Sequence, residues 1–68
     1  MSNFKQSVVV LIPDAGQGYA PGAPIRIIRT PGHVELILDP RGDYEVYSCE
    51  VESRMTKDPL LRVVLRQV

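Results

Sequence analysis

Sixty-eight residues make room for one small β-rich domain, residues 1–68, and no second core. Eight Lys plus Arg against eight Asp plus Glu leave no formal net charge, which argues against a general nucleic-acid binder. One cysteine and one histidine exclude an internal disulfide and speak against a structural zinc site, so no metal or cofactor is expected.

Residues 8–12, Val-Val-Val-Leu-Ile, form an apolar and mostly β-branched run closed by Pro13. The run predicts a first strand buried on both faces. It is far shorter than the roughly 20 residues that cross a bilayer, so no membrane partner is expected. Residues 13–24 then turn to Pro, Gly and Ala around Gln17 and Tyr19. Glycine costs backbone entropy and proline removes donors, so this stretch reads as a long loop.

Residues 25–30 alternate Ile25 and Ile27 against Arg26, a second strand. Thr30-Pro31-Gly32-His33 places Pro and Gly at the two central positions of a type II turn. Val34, Leu36 and Leu38 share one face of the next strand, opposite His33, Glu35, Ile37 and Asp39. Asp39-Pro40-Arg41-Gly42-Asp43 is a further turn. In the fourth strand, residues 44–51, Tyr44, Val46, Ser48 and Glu50 alternate with Glu45, Tyr47, Cys49 and Val51. The last strand, residues 60–68, follows a polar crossover, and residues 53–61 have room for one helical turn at most. Strand, long loop and four further strands joined by short connections is the order of a small five-stranded SH3-like barrel. An OB-fold places a helix where Pro40-Arg41-Gly42 leaves no space.

The chemistry-bearing residues read mostly as structural. Cys49 and His33 could pair as nucleophile and base, but a mid-strand cysteine among apolar neighbours behaves as a small hydrophobe. Gly16-Gln17-Gly18 lacks the Lys-Ser/Thr and the following helix of a phosphate cradle. Arg41-Gly42-Asp43 spells an adhesion tripeptide, yet any turn of this composition generates it. No catalytic residue is assigned, and an enzyme completed across an oligomer interface ranks last.

Two surfaces stand out. Arg26, Arg62 and Arg66, with Arg29 near its strand end, would form a basic stripe if the second and fifth strands were neighbours, with tyrosines beside it. Ile28, Ile37, Val64 and Val68 lie opposite the expected core, and the C-terminal strand reads as an unprotected sheet edge. The reading is therefore a non-enzymatic protein-interaction module that forms a homodimer or larger assembly through an apolar strand interface. Gln17 and Tyr19 are candidate partner contacts on the loop. The alternative is a nucleic-acid-binding barrel using the arginines. A lone thiol and no secretory leader point to the cytoplasm. The arginine-dominated basic set points to a GC-rich bacterial or phage gene, and so to a small accessory or inhibitor protein.

Overall fold

A computed structural model describes residues 6–16, 18–52 and 57–68. Five strands, β1 (Ser7–Pro13), β2 (Pro24–Thr30), β3 (His33–Leu38), β4 (Tyr44–Val51) and β5 (Leu60–Gln67), pair antiparallel in a single sheet of order β1-β5-β4-β2-β3. The described residues contain no helix, and none therefore long and apolar enough to cross a membrane. Residues 53–56, four of the nine in the stretch expected to allow a helical turn, lie outside the described set, and Leu60 and Leu61 belong to β5.

Local chemistry sets the strand ends. After Pro21 and Pro31, Gly22 (φ +89°) and Gly32 (φ +72°) take the left-handed position that a side chain resists. The first of these turns is closed by Ala23 N–H donating to Ala20 O at 3.0 Å. Between β3 and β4, Gly42 N–H donates to Asp39 O at 2.8 Å, while Asp39 Oδ1 accepts Arg41 N–H at 2.9 Å. Gly42 is needed for space: a Cβ there would overlap the backbone carbonyl of Ile25.

The core is one face of the sheet. Val10 and Ile12 from β1, Ile25, Leu36, Val46, and Leu61, Val63 and Leu65 from β5 are all buried. Val8, Tyr19, Ala23, Ile27, Val34, Tyr44 and Cys49 pack against them, half-buried. β5 supplies three core residues because it lies inside the sheet, between β1 and β4. The core is contiguous but sits at the junction of two unequal parts. Three strands, β1-β5-β4, make one part, and the β2–β3 hairpin makes the other. The register joins them through Pro24 with Glu45 and Ile25 with Tyr44. Hydrogen bonds from Gly22 N–H to Val46 O (2.7 Å) and from Val46 N–H to Ala23 O (3.0 Å) extend the seam. The molecule is accordingly long, 45 × 21 × 21 Å, with a radius of gyration of 12.5 Å. A compact chain of this length would have about 11 Å.

The sheet is not closed by hydrogen bonds, so a barrel is not confirmed: among the described residues β1 and β3 are its two edges. Two expectations, the unprotected C-terminal edge and the doubly buried first strand, are corrected. β4 follows β3 in sequence but pairs with β2, because the tight 39–43 turn folds over Ile25. β5 is an interior strand, not an edge. β1 is an edge strand buried on one face, with Val9 and Leu11 exposed on the other.

A register shift between Val46 and Ser48 inserts Tyr47 as an extra residue in β4. Tyr44 and Val46 lie on the core face before it, and Cys49, opposite Val63, lies on the core face after it. Strict alternation would have put Cys49 and Val46 on opposite faces. The bulge resolves that conflict by restarting the alternation.

Candidate interaction surface

The face opposite the core carries the exposed Val9, Leu11, Ile28 and Ile37 with charged side chains around them, while exposed Leu38 and Val51 lie at the margins of the core face. On β1, Val9 (59% exposed) and Leu11 (50%) stand opposite Val64 and Arg62 of β5. Around this apolar strip the charges are paired. Arg62 Nη2 lies 2.6 Å from Glu50 Oε1, and its Nε 3.4 Å from Glu52 Oε2. The Nε is shielded from solvent and has no hydrogen-bond partner, so the second contact is an ion pair without hydrogen-bond geometry. The Glu50 hydrogen bond, then the Glu52 charge, raise the Arg62 pKa further and keep it a fixed cation. Arg66 lies over the Tyr47 ring, 5.1 Å from its centroid, in cation–π range.

A second apolar patch sits on the hairpin. Arg26 pairs with Ile37 and Ile28 with Glu35 in the register, which makes Ile28 and Ile37 diagonal neighbours on the outer face. Both are exposed, at 36% and 38%. Arg26 is held at the rim by Asp39, with Nη2 and Oδ2 2.9 Å apart. His33 sits at the hairpin tip, its Nε2 3.9 Å from Glu35 Oε2.

The residues singled out in the sequence are thus spread over several places. Ile28 and Ile37 come together. Val64 is half-buried on β5 beside Val9, in a different patch, and exposed Val68 stands past the end of β5 with its N–H bonded to Asp43 O. The four arginines form no continuous stripe, because β4 lies between β2 and β5. Arg26 and Arg62 are ion-paired, and Arg29 shares its side of β2 with Ile25 and Ile27. Tyr19 is half-buried against the core cluster, and Gln17 lies outside the described residues. Cys49 is a half-buried thiol on the core face, and His33 is on a strand that does not pair with β4.

Val9 and Leu11 escaped sequence reasoning because an unbroken run of five apolar residues carries no alternation from which to tell an exposed face. Among the described residues there is no pocket and no group of three or more His, Cys, Asp or Glu side chains placed to hold a metal ion. No protein-family model, no curated protein and no solved structure matches the chain.

Proposed function

We propose that this protein is a non-enzymatic protein-interaction module that works through the apolar outer face of its strands, with the β2–β3 hairpin as the partner-contacting arm. One observation carries the reading: Ile28 and Ile37 are diagonal neighbours on the outer face of the hairpin, and both are exposed. The hairpin meets the rest of the sheet along the short Pro24–Ile25 seam, so this patch projects from the body. Apolar patches rimmed by charge, here Arg26, Asp39 and Glu35, mark interaction sites. A closed SH3-like barrel is not needed: an open sheet exposes more apolar strand surface than a barrel of the same strands. A small bacterial or phage accessory or inhibitor protein would act this way, by occupying a surface of its target.

The test is capture of partners from host extract by the wild type and by Ile28→Asp/Ile37→Asp. Both positions are exposed strand sites, so the variant should fold, as circular dichroism would verify. The reading expects a discrete partner that survives high salt, as apolar contacts do, and is lost with the double variant. Capture that ignores the substitutions, or that collapses steeply with salt, overturns it. Steep salt dependence together with oligonucleotide binding would support the nucleic-acid alternative instead.

A further inference from the structure

The open edge of β1 is built to pair with itself. Hydrogen bonds fix which backbone groups it has to offer. Gln67 N–H donates to Gln6 O at 2.8 Å and Asp14 N–H to Pro59 O at 3.0 Å. With the antiparallel register between them, these bonds place the even residues, Val8, Val10 and Ile12, in the hydrogen-bonded pairs with β5. The N–H and C=O of Val9 and Leu11 therefore point away from the sheet, toward an edge where no described strand pairs. The same two residues carry the exposed apolar side chains of the outer face. Donors, acceptors and apolar area thus coincide on one strand.

Charge selects the occupant. Of the five described strands β1 alone, Ser-Val-Val-Val-Leu-Ile-Pro, has no ionisable side chain. Two-fold antiparallel pairing brings a strand against its own copy, so any charge near the axis meets its like. On the other open edge, pairing centred on Glu35 would set that carboxylate against itself. On β1, pairing centred on Val9 or Val10 sets only uncharged side chains together, with Ser7 the one polar residue at the end of the pair. Natural edges are usually blunted by charge or by proline within the strand, and residues 7–12 carry neither.

We propose that β1 pairs antiparallel with β1 of a second copy, joining two sheets into one of ten strands. The core faces then run on continuously, and Val9 and Leu11 of both copies merge into one apolar strip on the outer face. Because β1 and β3 are opposite edges, the two hairpins end up at the far ends of the assembly. The dimer would present two partner-contacting arms, although the pairing itself does not depend on the hairpin's role. A single strand pair buries less than the roughly 1,200–2,000 Å² of a standard stable interface, so dimerisation should depend on concentration in the micromolar range.

Sedimentation equilibrium on the full chain tests this. The expected mass rises with concentration from 7.6 kDa to twice that value. Val9→Lys adds an edge charge, and Val9→Pro removes an N–H that β5 does not use. Both should remain monomeric over the same range. A mixture of Val9→Lys and Val9→Glu should regain the doubled mass, because the two side chains come within reach across the axis. The wild type supplies a readout independent of any variant's folding. Amide exchange at Val9 and Leu11 should slow as concentration rises, while Val8, Val10 and Ile12 stay protected throughout. A wild type that stays at the monomer mass, or a folded Val9→Pro that keeps the doubled mass, overturns the proposal. Partner capture unchanged in monomeric Val9→Pro would leave the hairpin reading standing, so the two claims can fail separately.

Discussion

Gly42→Ala is the most informative single change to the fold. Gly42 does not have a positive φ, so alanine is conformationally acceptable there. By chain entropy alone the change should stabilise by about 0.4–1 kcal/mol. The space is the obstacle. The new Cβ would overlap the carbonyl carbon and oxygen of Ile25 and approach its nitrogen to 2.9 Å. These are backbone atoms of a fully buried residue at the seam between β2 and β4, so no side-chain rotation relieves the overlap. Relief requires the hairpin to shift away from β4, straining the Ile25–Tyr44 pair and the bonds at Val46. Overpacking of this kind costs about 1–3 kcal/mol or more. For a domain of 60–100 residues each kcal/mol moves Tm by about 4–8 °C. Thermal melting followed by circular dichroism should show a drop of that order. Gly18→Ala, which meets no atom within 4 Å and also lacks a positive φ, should melt with the wild type or slightly above it. If Gly42→Ala melts with the wild type, the close approach of the 39–43 turn to β2 is wrong.

Other expectations follow from the same packing. Leu65→Ala removes a fully buried side chain at the centre of the core and should cost about 2–5 kcal/mol, close to the whole stability of so small a domain. Its product should be largely unfolded by circular dichroism at room temperature. Tyr19→Ala should destabilise by about 2 kcal/mol in urea titration, less than a fully buried aromatic because Tyr19 is half-buried. An unchanged midpoint would return Tyr19 to the role of an exposed recognition residue. Cys49 should react slowly with a thiol reagent in the folded protein and fast in denaturant, and fast labelling of the native state would contradict its packing against Val63.

Strand number, strand positions and the turns at Pro31-Gly32 and Pro40-Arg41-Gly42 are legible in the sequence, because alternation and turn chemistry are local signals. Which strands neighbour which is not. Alternation in residues 60–68 looks the same for an edge strand as for an interior one, and β5 is interior because long-range pairing places β1 beside it. The bulge at Tyr47 did leave a trace. Val46 and Cys49 are both apolar but sit at opposite parity, a break in phase that signals an inserted residue. Gly42 reads as a turn glycine, yet its proximity to Ile25 is a tertiary fact with no local signature. For the surface, Ile28 and Ile37 could be paired from alternation alone, since the tight Pro31-Gly32 turn fixes the hairpin register. The basic stripe could not be judged, because it depends on whether the second and fifth strands touch.

The self-pairing assigned to the sheet rests on β1, and not β5, being the open edge. Residue-resolved amide exchange in dilute solution, below the concentration at which copies associate, tests that directly. The account predicts alternation along β1, with Val8, Val10 and Ile12 protected and Val9 and Leu11 exchanging fast, and protection at successive residues from Leu61 to Leu65 on β5. Uniform protection along β1 with alternation on β5 would reverse the sheet order and contradict the account.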